Sequence, residues 1–332
     1  MSSTALLIND LRLKLQISIS ISFIIFGTMG NLLNIILFRK RTLWTLSPCV
    51  PYLFAASFSN LFNIYAFIPF RVLSGFQITS VNTFPVPCKL QIYFYYISFG
   101  LSTWLMVGCC ADRFFSSSLD ARIRRFSNIR ITKRMIFLLT FLICVGYSQV
   151  LYCYNSNLVG QLSVCNVIPN FCTVIDVMYY LLVQTVGPPI LMITFGIGTY
   201  LHIKERRRLL LRLPVNTELT GRNAAIATNA ENPERNSDKH ILPMLTIQVI
   251  IYLVCSIPLL ATKIYQMIPL SIVKSDVRIA GESLFFNLSV LFSLGDKVFS
   301  FYIYTLSSKF YRKELIKLVR QCRPHRRIAA QN

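Results

Sequence analysis

The chain has 332 residues, of which 54% are hydrophobic and only 14% are charged. A composition this apolar excludes an ordinary water-soluble protein and predicts a membrane protein. The net charge of +21 is expected to favour anionic membrane lipid at the inner leaflet, so it does not call for nucleic acid as a partner.

Seven apolar runs follow one another along the chain. Each reaches the roughly 20 residues that a helix needs to cross a bilayer. Because backbone polar groups in lipid must be satisfied within their own segment, the runs are predicted to be helices. The expected fold is an all-α membrane protein, a seven-transmembrane helix bundle. The predicted spans are residues 15–38, 50–72, 89–115, 135–154, 174–202, 241–264 and 283–306.

The basic residues are unevenly distributed among the loops. Most of the 34 Lys and Arg lie after the first, third, fifth and seventh runs. Since Lys and Arg accumulate on the cytoplasmic side, we expect a multi-pass plasma-membrane protein with its N-terminus outside and its C-terminus in the cytoplasm. The expected divisions are an extracellular N-terminus (1–14), the bundle (15–306) with a third intracellular loop at about 203–239, and a cytoplasmic tail (307–332).

The loop and the tail differ in pattern. The 204–238 segment begins with a basic stretch and then loses hydrophobic periodicity, which predicts disorder. Residues 307–318 place apolar side chains at helical spacing between Lys and Arg, which predicts a short amphipathic helix on the membrane surface. Cys322 follows it, either as a lipidation site or as a free cytosolic thiol.

The third run joins a thiol to a charged pair. Cys88 lies at its start, and Asp112 and Arg113 lie near its end. The separation of Cys88 and Arg113 corresponds to roughly 38 Å of helix, slightly more than the ~30 Å hydrocarbon thickness of a bilayer. We therefore expect the thiol at one membrane face and the Asp-Arg pair at the other. Taken alone, the pair also fits interfacial charges that snorkel at a helix end.

Five motifs, in this order over about residues 15–322, resemble those of rhodopsin-like G-protein-coupled receptors. They are Gly30-Asn31, Cys88, Asp112-Arg113-Phe114, Cys255-Ser256-Ile257-Pro258, and Ser300 to Tyr304 followed by Phe310. The resemblance implies a receptor that binds an extracellular ligand and activates a heterotrimeric G protein. It assigns coupling and activation to Asp112, Arg113, Pro258 and Tyr304. Asp238 stands where many members carry the acid that holds the Arg at rest, although an Asp is commonplace in a charged loop.

The resemblance also implies a disulfide between Cys88 and the second extracellular loop. Two loop cysteines, Cys165 and Cys172, are candidates at an oxidising outer face. Cys165 is preferred because it leaves the more usual distance to the prolines of the fifth run, and Cys172 is the alternative.

Several positions depart from the family pattern. Ser59 stands where most members carry the Asp that binds sodium, Ser300 replaces an Asn, and Ser256 replaces a Trp. The resemblance then predicts no sodium site. Asp296 and Lys297 lie within the seventh span, where ionisable groups are costly and usually face the bundle interior. We hypothesise that the Lys297 ammonium fills the place of the sodium ion, held by Asp296 or by polar groups of the second and third spans.

The interhelical polar residues expected from this comparison lie on three spans. They are Asn31, Ser59, Asp296, Lys297 and Ser300.

The predicted outer mouth indicates the kind of ligand. By the resemblance, Tyr95 occupies the place of the Asp that binds amines, and Leu294 that of the Lys that binds retinal, which argues against both ligands. Aromatic residues and charges of both signs predict contact with a short peptide through Tyr95, Tyr96, Tyr265 and Glu282. The third and seventh runs resemble invertebrate FMRFamide-like neuropeptide receptors most closely, with a chemosensory receptor for small molecules as the alternative.

Other functional classes find little support in the sequence. No catalytic or phosphate-binding motif occurs, and the three His lie at predicted cytoplasmic ends, so no enzyme activity, metal or cofactor is expected. A seven-helix channel or transporter is the rival class. Inverted repeats or paired broken helices would indicate one, and neither is visible.

Overall fold

The computed structural model describes residues 2–40, 43–44, 47–78, 84–156, 165–212, 233–267 and 275–322. Seven of its helices are long and apolar enough to cross a membrane, which confirms the predicted bundle. The spanning helices and the final amphipathic helix are α1 (Ser3–Phe38), α2 (Val50–Gly75), α3 (Pro85–Ser117), α4 (Ile129–Gly146), α5 (171–212), α6 (Pro233–Met267), α7 (276–307) and α8 (Lys309–Cys322).

Three of these helices are not regular along their whole length. α4 continues through the 3₁₀ turn Tyr147–Gln149 and the helical turn Val150–Cys153. α5 consists of Phe171–Tyr179, the π-helical stretch Tyr180–Val186 and Gly187–Arg212. α7 consists of Asp276–Ser293, Gly295–Val298 and Ser300–Ser307.

Proline chemistry explains the π-helical stretch of α5. Pro188 has no N–H to donate to the carbonyl of Gln184, four residues earlier, so regular α-helical bonding is interrupted there. The Tyr252 hydroxyl of α6 donates to that carbonyl instead. A missing backbone donor thus becomes a contact between α5 and α6.

Helices extend beyond the apolar runs that predicted them. α1 begins at Ser3, because nothing between Ser3 and residue 15 is a Pro or Gly, and the Ser2 side chain caps the helix by accepting from Ala5 N at 3.2 Å. The segment 1–14, predicted to be an extracellular N-terminus, is therefore helical from residue 3. Similarly, the predicted 204–238 loop is shortened by α5 and α6, and its remaining part, 213–232, lies outside the described residues.

A short hairpin, absent from the all-α prediction, follows α4. Strands β1 (Tyr154–Ser156) and β2 (Cys165–Val167) pair antiparallel, with Tyr154 opposite Val167. The fourth apolar run was predicted to stay helical through Tyr154, but the chain becomes extended at that residue, with φ −104° and ψ 144°. The hairpin packs on α3.

α3 lies at the centre of the bundle. Within its most apolar 18-residue window 67% of the residues are buried, against 22% for α4. The outward faces of α1, α4 and α5 are apolar, as expected for surfaces that contact lipid. One apolar core surrounds the Arg113 end of α3, which marks one end of the bundle (the Arg113 end), and a second surrounds its Cys88 end, which marks the other (the Cys88 end).

Candidate functional site

A buried ion pair lies in the last turns of α3. Arg113 Nη2 lies 2.9 Å from Asp112 Oδ2, and Ser127 Oγ donates to Asp112 Oδ1 at 2.8 Å. Only 4% of Asp112 and 5% of Arg113 are exposed, so neither side chain snorkels to water. Buried charges are tolerated when they are paired and hydrogen-bonded. Both charged groups therefore belong to the interior of the Arg113 end.

A cavity of about 30 Å³ lies beside this pair, between α3, α5 and α6. This volume holds little more than a water molecule. The three helices are therefore packed closely around Arg113, and any protein segment that reaches it requires them to separate. The lining residues are Cys110, Arg113, Met192, Gly196, Thr199, Leu245, Thr246 and Val249.

Tyr304 lies in the same core. Its hydroxyl donates to Met106 Sδ of α3 at 3.6 Å, and its ring centroid lies 6.0 Å from that of Tyr311. The Tyr311 hydroxyl donates to Asn34 Oδ1 at 2.5 Å. The start of α8 is thereby joined to α1 and α7.

The remaining residues predicted for this end are placed differently. Pro258 lies inside α6, where it removes one backbone hydrogen bond. Asp238 falls within the first turns of α6, but its side chain lies outside the described residues, and so does that of Cys322 at the end of α8. The predicted contact of Asp238 with Arg113 stays a prediction.

A polar network crosses the middle of the bundle. Asn31 Nδ2 donates to the Lys297 carbonyl at 3.1 Å, and Ser300 Oγ donates to Asn31 Oδ1 at 3.3 Å. Asn60 Nδ2 donates to the same Asn31 oxygen at 3.2 Å, and Ser102 Oγ donates to Asn60 Oδ1 at 2.5 Å. α1, α2, α3 and α7 are tied together by these four side chains.

Ser59 is not part of that network. Its hydroxyl donates to the Ser98 carbonyl at 2.8 Å, and the bond to Asn31 comes from the next residue, Asn60. One position along a helix turns the side chain by about 100°. Ser59 thus bonds between helices, as predicted, but to α3, whereas its neighbour Asn60 faces Asn31.

Replacing Asn60 with Leu is expected to cost about 1–3 kcal/mol of unfolding free energy, because buried partners lose their hydrogen bonds. Ser59→Ala is expected to cost about 1 kcal/mol, since the Ser98 carbonyl keeps its helical donor. Melting temperatures of the purified variants in detergent measure the difference. A larger loss in Ser59→Ala than in Asn60→Leu would contradict the placement.

Asp296 and Lys297 form a second buried pair, although neighbouring side chains on a helix do not share a face. Lys297 Nζ lies 2.7 Å from Asp296 Oδ2 and donates to Thr103 Oγ1 of α3 at 3.0 Å. It also lies 4.7 Å from the ring centre of Phe99 and 4.9 Å from that of Tyr252. α7 is interrupted at Leu294 and Phe299, on either side of this pair, and both side chains are buried. The ammonium is thus held between α3, α6 and α7.

Disulfides hold the Cys88 end. Cys88 is bonded to Cys165 of β2, and Cys153 at the end of α4 is bonded to Cys172 at the start of α5. Cys172, the alternative partner of Cys88, is thus occupied elsewhere. The two bonds attach the hairpin to α3 and α4 to α5.

A third disulfide, which the sequence comparison did not predict, lies near the opposite end. It joins Cys49, just before α2, to Cys109 of α3, with 4.8 Å between the Cα atoms. Cys109 lies one helical turn before Arg113.

A third buried ion pair lies at the Cys88 end. Lys263 Nζ of α6 is 2.5 Å from Asp176 Oδ2 of α5. The Tyr96 and Tyr154 hydroxyls donate to Asp176 Oδ1 at 2.9 and 3.0 Å, and Lys263 donates to Tyr96 at 3.0 Å. Burial, and then the Asp176 charge, raise the pKa of Tyr154 well above its ordinary value, so its hydroxyl stays a donor. This cluster joins α3, α5, α6 and the hairpin.

The other predicted ligand contacts lie nearby in two groups. Tyr265 donates to Glu282 Oε1 at 2.7 Å, and Arg278 lies 3.0 Å from the same oxygen, so α6 and α7 are connected at the rim. The Tyr95 ring stacks on Phe67 with centroids 4.1 Å apart. Of the four predicted residues, the structure places Tyr96 in the Asp176 cluster, Tyr95 against α2, and Tyr265 with Glu282.

Sequence reasoning missed Asn60 and Asp176. Asp176 lies inside the fifth apolar run, and the cost of an ionisable group in such a run was signal enough to single it out. Asn60 carried no comparable signal, because its neighbour Ser59 is also polar and only the helix rotation distinguishes them.

Comparison with known families agrees with this geometry. The family model of the 7 transmembrane receptor (rhodopsin family) matches residues 30–294, which includes the buried pair of α3, three of the four side chains of the polar network and the disulfide-bonded mouth. No curated protein matches the chain. The matched region extends over most of the seven helices, and receptors of this family are signalling proteins and not enzymes. The chain therefore belongs to the rhodopsin family of seven-transmembrane receptors.

Proposed function

We propose that the chain is a receptor that binds a short extracellular peptide and activates a heterotrimeric G protein. The observation that supports this most directly is the buried Asp112–Arg113 pair beside a small cavity between α3, α5 and α6. An opening of these helices would expose a guanidinium to a protein partner. The polar clusters at the Cys88 end involve the same helices. A ligand that binds there can favour one packing of these helices over another.

The orientation is part of the proposal. Lys and Arg concentrate in the loops at the Arg113 end, which supports a cytoplasmic location for that end and for the C-terminus. α8 would then lie on the inner leaflet with its basic side chains at lipid headgroups. Cys49 and Cys109, which the structure joins by a disulfide, would then lie on the cytosolic side, and because cytosolic thiols are kept reduced, the bond is expected to open there to two thiols.

Signal transfer follows from two alternative packings of the bundle. A ligand shifts the equilibrium only by the difference between its affinities for the two states. The ion pair of Lys263 and Asp176 links α6 to α5 at the Cys88 end, so a ligand that alters this link changes how the two helices pack. We propose that α6 then swings about Pro258, the Arg113 contacts release, and a basic inner crevice accepts the G protein.

We further propose that Lys297 supplies a tethered cation in the place that sodium fills in other members. Its ammonium lies within 3.0 Å of both a carboxylate and a hydroxyl and under two aromatic faces. Such surroundings suit a small cation. Because the cation is covalently attached, signalling is expected not to depend on sodium concentration.

Arg113→Glu is expected to abolish G-protein activation at matched surface levels, because reversing the charge removes both the pair with Asp112 and the cationic contact offered to the G protein. The measurement is G-protein activation in cells that express the receptor and are exposed to fractionated neuropeptide extract. Lys14→Glu, an exposed charge on α1, is the control for charge reversal.

A response that survives in Arg113→Glu would require the coupling mechanism to be withdrawn. Protease treatment of the active fraction tests the ligand class separately. A peptide ligand loses its activity, whereas activity that survives digestion would indicate the chemosensory alternative, a small-molecule ligand.

A further inference from the structure

One of the positive charges at the Cys88 end has no carboxylate partner among the described residues. Lys263 is paired with Asp176, and Arg278 on the rim is paired with Glu282. Arg71, near the end of α2, makes no ion pair with any carboxylate among the described residues. Arg71 is half-buried, and a charge partly withdrawn from water is costly unless an opposite charge accompanies it.

The Arg71 side chain is directed between the helices. Its Nη2 donates to Asn287 Oδ1 of α7 at 2.7 Å, and the guanidinium carbon lies 5.6 Å from the ring centre of Phe67. Its Nε is buried and has no hydrogen-bond partner within the described part of the chain. The guanidinium is thus anchored by a neutral amide, with donor capacity left unused.

The surroundings of Arg71 add positive charge and aromatic surface. Arg12 of α1 is close enough to repel Arg71 electrostatically, and Arg12 itself donates to a neutral amide, Asn9 Oδ1, at 3.0 Å. Tyr95, predicted to contact the ligand, stacks on the Phe67 ring that lies beneath the guanidinium. An anionic group with an adjoining aromatic or apolar portion fits these neighbours best.

We propose that Arg71 binds a carboxylate of the extracellular ligand. A guanidinium presents a planar set of N–H donors that matches the two oxygens of a carboxylate. A neutral terminus, such as a peptide amide, would leave the Arg71 charge uncompensated. A lipid phosphate shares this chemistry, but Arg71 is bonded to α7 across the bundle, which favours a ligand from the mouth. The inference rests on the proposed extracellular ligand and not on G-protein coupling.

Thermal unfolding of the purified full-length receptor in neutral detergent tests the site without any G protein. The probes are N-acetyl-phenylalanine, which carries a carboxylate, and its methyl ester, which does not. We expect the acid to raise the melting temperature of the wild type more than the ester does. This difference should disappear in Arg71→Gln, persist in part in Arg71→Lys, and remain complete in Lys14→Gln, an exposed-charge control at the same end.

Equal stabilisation by acid and ester in the wild type would overturn the proposal, and so would an acid effect that survives in Arg71→Gln. The comparison of acid and ester on the wild type tests the proposal even if Arg71→Gln does not fold.

A third arm adds phosphatidylglycerol or phosphatidylcholine instead of the probes. If phosphatidylglycerol stabilises the wild type but not Arg71→Gln, and N-acetyl-phenylalanine has no effect, the site binds a lipid phosphate. The proposal of a ligand carboxylate is then rejected.

The cellular assay connects the site to signalling. Methyl esterification of the active peptide fraction is expected to lower its potency on the wild type by about ten- to a hundredfold, the range expected for a lost hydrogen bond to a charged group. Arg71→Gln should respond to esterified and untreated fractions alike. A G-protein response that is unaffected by esterification would reject the carboxylate while leaving the proposed receptor function intact.

Discussion

Replacing Lys297 with Met is expected to destabilise the folded receptor by about 3–5 kcal/mol, the usual effect of breaking a buried ion pair by removing one partner. Asp296 is 2% exposed, and its Oδ1 has no hydrogen-bond partner among the described residues. Without the Lys297 ammonium, the negative charge of the Asp296 carboxylate would be left unpaired in an apolar interior. Surface expression in cells and the melting temperature of the purified variant measure the loss.

A double variant separates lost charge from lost packing. Asp296→Asn combined with Lys297→Met removes both charges, so most of the lost stability is expected to return. Thr103→Ala is expected to cost less stability than Lys297→Met, because it removes only the 3.0 Å hydrogen bond between the Thr103 hydroxyl and the ammonium. If Lys297→Met leaves both surface expression and signalling at wild-type levels, the tethered-cation proposal is rejected.

Cys88→Ser is expected to lower the unfolding free energy by about 2–5 kcal/mol. The bond to Cys165 closes a long loop, with a sequence separation of 77, and removing it enlarges the unfolded ensemble accordingly. It also frees the hairpin from α3. Melting temperatures under non-reducing conditions measure the effect.

Two further cysteine variants act as controls for that prediction. Cys172→Ser opens the Cys153 bond, whose sequence separation is only 19, so its cost is expected to be about 1 kcal/mol smaller on chain entropy alone. Cys144→Ser changes a thiol that forms no disulfide and should leave the melting temperature almost unchanged. A Cys88→Ser receptor as stable as Cys144→Ser would contradict the assigned bond.

The bundle was predictable because the bilayer imposes the same demand on every span. About 20 apolar residues with internally bonded backbone are needed whatever the side chains are, so apolar runs were enough to locate seven helices. Their ends were less predictable. α1 extends to Ser3 through polar residues that lipid does not require but that no Pro or Gly prevents from being helical.

The site was predictable where spacing along one helix decides position. Cys88 and Arg113 lie at opposite ends of α3 because helical rise alone separates them. Contacts between helices were not predictable in this way. Asn60 replaces Ser59 in the polar network because helix rotation selects the residue, and the hairpin at Tyr154 depends on a partner strand eleven residues later.

The sequence by itself determined the membrane class, the seven helices, the family motifs and the presence of ionisable residues within the spans. Only the tertiary structure decided how those charges are compensated. Asp296 has Lys297 beside it and Asp176 has Lys263 from another helix, whereas Arg71 meets only a neutral amide among the residues that the structure describes. Electrostatic compensation acts across a few ångströms in space, and helix packing sets those distances between residues that lie far apart in the chain.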